Sequence, residues 1–250
     1  MTTLTAHTHA QTQYTTTSSR LAARLSIHNY NTASVSWFQF AQTFIPKSGS
    51  SILEVGAGTG ALWSSDTFPS SQIPSITSLT LTDFSPAMVA TLSSNPSILS
   101  LQSQVPVSIQ QCDATSLPFP DGEFDVVVAN HMLYHVDDPL IALAEFKRLF
   151  EVGEMVGRGS TIKGLAKITA ENAVEQIEQV GFEGVQKERF PGEFRVPGVG
   201  PVLEYLDSVD DQDMEEGKRE VVRRAVGERL DGEGVFRVEK NMVVFTARKR

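Results

Sequence analysis

The stretch Leu53-Glu54-Val55-Gly56-Ala57-Gly58-Thr59-Gly60-Ala61-Leu62 sets a carboxylate two residues ahead of a loop with three alternating glycines. Glycines there let backbone approach a ligand closely, and a helix starting behind such a loop offers unpaired N–H groups to an anion. The loop reads in two ways, as G-x-G-x-x-A, near the dinucleotide fingerprint, or as acid-x-G-x-G-x-G. Two more acids follow at intervals, Asp83 and Asp113, and then a polar cluster of Asn130, His131, Tyr134 and His135. A further histidine, His28, stands ahead of the loop.

Glu54 separates the two readings. A dinucleotide would bring a doubly charged pyrophosphate close to that carboxylate. Two unit charges ~4 Å apart at an effective dielectric near 20 cost on the order of 4 kcal/mol. S-adenosyl-L-methionine instead carries a sulfonium and an ammonium, which a neighbouring acid favours, and one small carboxylate for the backbone N–H groups behind the loop. Glu54 with Gly56, Ala57, Gly58 and Gly60 is therefore expected to hold the amino-acid end of this sulfonium cofactor. Asp83, 23 residues past Gly60, suits either ligand, because an acid there accepts both ribose hydroxyls. Asp113 with Ala114 is placed to accept from an adenine amino group, and Phe84 and Met88 to flank the ring.

These residues need strand ends to carry them, and the chain supplies a βα alternation. Ser51 to Val55 reads as a strand running into the loop, followed by a helix through about Phe68. Ser78 to Thr82 is a second strand ending at Asp83, and Ser85-Pro86 a helix start, with a capping hydroxyl and proline at the first helical position. Val105 to Gln111 is a third strand. The run FDVVVA, Phe124 to Ala129, is apolar throughout, as a central strand covered on both faces must be. A helix from Pro139 to Phe150 follows, then a fifth-strand position poor in apolar residues (EVGEMVGRGSTIKG), a helix over Thr169 to Val180, and closing strands over Phe182 to Phe190 and Val235 to Ala247. The fold class is α/β, a Rossmann-like doubly wound parallel sheet. Residues 1–17 read as a disordered polar tail and 18–250 as one domain: 18–48 an N-terminal helical lid, 49–150 the cofactor-binding half, 151–250 the substrate-side half.

The bulk composition narrows the chemistry. A net charge of −9 opposes a protein that works by gripping phosphate backbones. Residues 1–53 hold no acid and three bases, Arg20, Arg24 and Lys47; this acid-free, threonine-rich start leaves a mitochondrial address open beside the expected cytoplasmic one. Cys112 is the only cysteine, which excludes a disulfide framework and any cysteine metal cluster, so no metal is expected. No apolar run reaches the ~18 residues a membrane span needs.

Four motifs in order, EVGAGTG, LTDFSPAMV, CDATSLPFPDGEFDVVVAN and HMLYHVDDP, resemble class I S-adenosylmethionine-dependent methyltransferases, especially the small-molecule group that includes the ubiquinone and menaquinone methylases. The close resemblance covers about residues 50–150. A looser one extends to LAARLSIHNYN with SVSWFQF, and to TAENAVEQIEQVGFEGV, as in fungal-type members. It implies strand order 3-2-1-4-5-7-6 with strand 7 antiparallel, and places Asn130 and His131 at the methyl end of the cofactor. Where that group carries a leader such as L-x-P-G-G before strand five, this chain reads Leu149-Phe150-Glu151-Val152-Gly153-Glu154-Met155-Val156.

Transfer from a sulfonium is an in-line displacement, in which the protein aligns the partners and excludes water, adding a base where the nucleophile carries a proton. His131, His135 and His28 are the base candidates, each equally readable as a structural, hydrogen-bonded histidine. Trp37, Phe38, Phe40 and Phe44 read either as a closing lid or as core. The tetrads N-P-P-Y and D-P-P-Y, which act on adenine or glutamine nitrogen, are absent: Asn130 leads into His131-Met132-Leu133. A small organic acceptor is expected, without nucleic acid. The alternatives are a non-methylating cofactor-binding module of the same fold, and an RNA methyltransferase.

Overall fold

The computed structural model describes residues 26–47, 49–66, 68–159, 168–209, 214–239 and 242–249, of 151–159 and 209 the backbone. The polar tail 1–17 and Arg24 lie outside them. The sequence reading treats 18–250 as one domain, whereas contacts divide the chain into two compact units. Among described residues the first comprises 35–190 and 242–249, and the second 26–34 and 191–239.

The first unit is built on a sheet whose central strands are mostly buried and run out at the chemistry-bearing residues. β1 (Ser50–Val55), β2 (Ile76–Asp83), β3 (Val107–Gln111), β4 (Phe124–Ala129) and β5 (Phe150–Gly159) pair parallel, β6 (Glu183–Arg189) and β9 (Val243–Arg248) antiparallel, in the order β3-β2-β1-β4-β5-β9-β6. β4 sits in the middle with Val126, Val127, Val128 and Ala129 all buried. Parallel neighbours and helices on both faces leave such a strand no polar side. β6, at one edge, alternates charges along an exposed face (EGVQKER), which keeps a free strand edge from pairing with other chains.

Helices cover the sheet. α1 (Trp37–Gln42) is capped by Ser36, whose hydroxyl accepts from the Gln39 N–H while the Gln39 amide accepts from the Ser36 N–H. α2 (Pro86–Ser94) and α3 (Pro96–Gln102) follow β2, α4 (Pro139–Leu149) follows β4, and α5 (Ala173–Gln179) precedes β6. Ser85 and Asn95 cap α2 and α3 just ahead of prolines at the first helical position. From α4, Ala142, Leu143, Phe146 and Leu149 reach the core, where Phe150 and Phe182 meet edge to face.

Three expectations about elements change. The helix expected behind the glycine loop is a single 3₁₀ turn, Ala61–Trp63, with a second, Ser70–Ser75, further on. The intervening Ser64 draws local bonds from the Asp66 and Phe68 N–H groups, Ser65 is tied to Ser97, and Pro69 and Pro74 deny the donors a continuous helix needs. The fifth strand, poor in apolar residues, forms over Phe150–Gly159 because β4 and β9 both bond to it; the rest of the expected stretch lies outside the described residues. The single closing strand expected over Val235 to Ala247 is two: β9 joins the sheet, while β8 (Val235–Val238) pairs with β7 (Phe194–Pro197) in the second unit.

The second unit holds that β7–β8 hairpin, a 3₁₀ turn (Ile27–Tyr30), α6 (Gly200–Val209) and α7 (Glu216–Gly227). Asn31 bridges to Phe194, and the Arg219 guanidinium on α7 pairs with Asp207 on α6. Among the described residues no helix is long and apolar enough to cross a membrane.

Candidate cofactor and active site

The carboxyl ends of β1, β2 and β4 meet at the glycine loop. Gly56, Gly58 and Gly60 all take positive φ (+72°, +58° and +81°), the left-handed region in which a Cβ clashes with its own backbone. Their surroundings differ. A Cβ on Gly56 would lie 2.5 Å from Cβ of Met132, and one on Gly60 would press on Leu92 and Ile98, but one on Gly58 would meet nothing within 4 Å. Gly58 is thus the point where backbone faces open space. The loop is held by the Ala57 N–H donating to the Thr82 carbonyl (2.9 Å), and by the Asn95 amide donating to the Thr59 carbonyl (2.7 Å).

Asp83 ends β2 and fastens two loops together. Its Oδ2 accepts from the Gly58 N–H (2.9 Å) and its Oδ1 from the Ser85 N–H (2.9 Å), so one carboxylate joins the glycine loop to the cap of α2. Burial pushes this carboxyl above the ordinary range, and the backbone donors partly offset that. Phe84 and Met88 are half-buried on either side of the same cap.

Glu54, the last residue but one of β1, is 2% exposed. Its Oε2 accepts from the indole Nε1–H of Trp63 at 2.6 Å, and desolvation raises its pKa to about 7 despite that donor. Asn130, at the end of β4, lies beside it close enough to favour the ionised form, yet its buried Nδ2 makes no hydrogen bond of good geometry. Beneath the loop the protein has placed a carboxyl without a cation, and an amide donor without a settled acceptor.

Beyond β3, Asp113 closes a small turn: Oδ1 accepts from the Thr115 N–H and hydroxyl (2.8 and 2.7 Å), leaving Oδ2 without a protein donor among the described residues. Ala114 and Cys112 are buried, and burial pushes the Cys112 thiol up, away from nucleophilic use. Arg148 of α4 pins the loop that follows, donating to the Leu117 and Phe119 carbonyls (2.9 and 2.7 Å) and to Asp121 and Glu145, while Glu145 accepts from the Leu117 N–H.

His131 follows Asn130 at φ +54°, the one positive-φ non-glycine residue among those described. A side chain held there costs of order 1 kcal/mol or more and persists only where its surroundings over-determine it. Its ring stands edge-on to Trp37, with centroids 5.6 Å apart, and Trp37 in turn meets Phe40 and Phe190. His135 closes the 3₁₀ turn Leu133–His135 and stacks against Tyr134 at 4.3 Å. His28 belongs to the second unit, where it meets Phe194 edge to face. Of the expected set, Glu54, the glycines, Asp83 and Asn130 converge at one loop.

Four contributors were missed in the sequence: Trp63, Gln42, whose amide donates to the Leu62 carbonyl at 2.6 Å, Asn95 and the Glu145–Arg148 pair. The i,i+3 spacing of Glu145 and Arg148 on a helix was visible, and so was Asn95 ahead of a proline. Trp63 carried no signal, because an indole in an apolar stretch reads as core.

A doubly wound sheet with a glycine loop at the carboxyl end of its first strand and an acid at the end of its second defines a nucleotide-type cofactor site. Residues 53–155 match the methyltransferase domain family. An uncharacterized methyltransferase of Schizosaccharomyces pombe is 48% identical over 40 residues, 16% of this chain and 14% of that relative's length. In structure, the chain is similar to a Bacillus halodurans protein assigned to the methyltransferases (TM-score 0.62, 15% identity, 85% of this chain and 98% of that one). It is also similar to Haemonchus contortus phosphoethanolamine N-methyltransferase 2 in complex with S-adenosyl-L-methionine (TM-score 0.57, 18% identity, 99% of this chain and 60% of that one). The fold is the one these solved structures share, and the match to the methyltransferase domain family covers residues 53–155 of it.

Proposed function

We propose that this protein transfers the methyl group of S-adenosyl-L-methionine to a small organic acceptor. The observation that carries the reading is the Asp83 carboxylate bonded to the Gly58 N–H, on a loop whose face at Gly58 is open. The residues fit the cofactor on a further count: Glu54, with the Asn130 amide beside it, is a buried acid with no cation of its own among the described residues. With the helix behind the loop reduced to one 3₁₀ turn, the ligand carboxylate is left to the loop's own backbone N–H groups.

In this reading Asp83 accepts the ribose hydroxyls on the oxygen lone pairs its backbone donors leave over. Asp113 takes the adenine amino group on Oδ2, beside Ala114, with Phe84 and Met88 flanking the ring. Glu54, Gly56, Ala57, Gly58 and Gly60 form the amino-acid end, and Asn130 lines the methyl end. When bound, the cofactor supplies a sulfonium methyl already activated for displacement. The chain then has to align the acceptor and exclude water, which the aromatic group of Trp37, Phe40 and Phe190 is suited to do over residues 35–48 of the expected lid. His131 is the preferred base, since its strained backbone sets the ring just past Asn130; His135 is the second candidate. The net charge argues against nucleic acid as acceptor.

Titration calorimetry with S-adenosyl-L-methionine and S-adenosyl-L-homocysteine is the test. Wild type is expected to bind both, and Asp83→Ala to lose at least tenfold in affinity, since hydrogen bonds to a charged group are worth roughly 1.5–3 kcal/mol each. Wild-type affinity in Asp83→Ala removes the ribose assignment. Binding without turnover on any small acceptor favours the non-methylating module.

A further inference from the structure

Glu54 is fully buried beneath the glycine loop, and every group that touches it is neutral or negative. Trp63, on the turn behind the loop, donates its indole N–H at 2.6 Å; Asn130, from the end of β4, offers an amide; Asp83, from the end of β2, adds a like charge. No lysine, arginine or histidine pairs with it among the described residues. A buried carboxylate lacking a cation is held at high cost and takes a proton unless a positive charge arrives from elsewhere.

We infer that Glu54 reads the charge of the ligand: it is more fully ionised when the sulfonium donor is bound than when the neutral sulfide product takes its place, so the protein discriminates donor from product through a fraction of a proton. The inference rests on the methyl-donor reading above. The two ligands share adenine, ribose, carboxylate and ammonium, and differ at this site by one methyl and one positive charge. The shared ammonium favours the ionised form with both ligands, so the comparison isolates what the sulfonium adds. Methyl transfer removes that charge, Glu54 takes up part of a proton from solvent, and the product loses the part of the electrostatic attraction that was the sulfonium's. A buried carboxyl with an indole and an amide beside it and no cation among the described residues is sensitive to that one charge.

The experiment is calorimetry of both ligands on the full chain at pH 6.5–7.5 in buffers of differing ionisation enthalpy, which counts protons released per ligand bound. Wild type is expected to release a sizeable fraction of a proton with S-adenosyl-L-methionine and clearly less with S-adenosyl-L-homocysteine. Its preference for donor over product should rise several-fold between pH 6 and 8. Glu54→Gln, which keeps an acceptor for Trp63, is expected to erase both differences. Trp63→Phe removes the one strong donor to the carboxylate and should move the pH window of proton release upward, an independent check if the glutamine variant does not fold. Equal proton release with the two ligands in wild type overturns the inference while leaving the methyl-donor reading intact. Failure of either ligand to bind overturns both.

Discussion

A single buried carboxyl governs how this protein should respond to pH. Glu54, with its pKa near 7, keeps a proton in the native state over a range where the unfolded chain, near 4.5, has lost it. The native state then binds more protons than the unfolded one, so stability is full below about pH 4.5 and falls as pH rises through 7. The amount at stake is about 3 kcal/mol. Denaturant titrations of ligand-free protein between pH 5 and 8 should show this decline, and Glu54→Gln should flatten most of it; Asp83, also shifted upward, leaves a residue of the same sign. The glycines divide by the same physics of burial. Gly56→Ala forces a Cβ to 2.5 Å from Met132 at φ +72° and should cost several kcal/mol of stability, read as a lowered melting temperature. Gly58→Ala meets no neighbour, so it should cost only about 1 kcal/mol of backbone strain while weakening cofactor affinity, measured by calorimetry, through the methyl it places in the open face of the loop. Both glycines look alike in the sequence. Only the neighbour each one faces tells them apart.

Between elements, the Glu145–Arg148 pair on α4 does what the phrase Phe119-Pro120-Asp121-Gly122, read from sequence as a plain turn, does not explain. Arg148 is half-buried and donates to two loop carbonyls and two carboxylates, and Glu145, which accepts from the Leu117 N–H, is held below the usual carboxylate range by that guanidinium. Arg148→Lys keeps the charge but not the planar fork, so it should loosen residues 117–121, raising their amide exchange and lowering cofactor affinity a few-fold with a small effect on melting temperature. Unchanged exchange in that loop would show that the clamp is redundant. The elements also explain where sequence reading went astray. The sequence places a helix after the glycine loop through about Phe68, yet Ser64, Ser65, Pro69 and Pro74 compete with or remove helical bonds, and local chemistry won. The fifth strand erred the other way: too few apolar residues for a confident strand, but two bonded neighbours that make it one.

For the whole molecule, the load falls on the centre of the first unit. Phe146 of α4 is fully buried against β4 and β5, and Phe146→Ala should destabilise by roughly 3–5 kcal/mol in chemical denaturation. Much of this architecture was legible in advance. β1 and β4 show as largely apolar runs and β2 as leucines alternating with threonines, ending at Glu54-Val55, Ala129-Asn130 and Asp83, because a strand covered on both faces favours apolar and small β-branched residues until it emerges. That rule alone locates the acids and the amide at one edge of the sheet. Division into two units was not legible, since β7, β8, α6 and α7 are as ordinary in composition as the rest, and only their bonds to one another set them apart. What the amino-acid sequence determined by itself is the succession of the first four strands along the chain, the glycines at the turn and the acids at strand ends, all properties of residues close together in the chain. What tertiary structure decided is which way each side chain faces and what it meets: Trp63 against Glu54, Met132 against Gly56, open space before Gly58, and a left-handed His131 against Trp37. The Met132–Gly56 and His131–Trp37 pairings join residues far apart in the chain, and the energies of all of them come from burial and contact that no local pattern records.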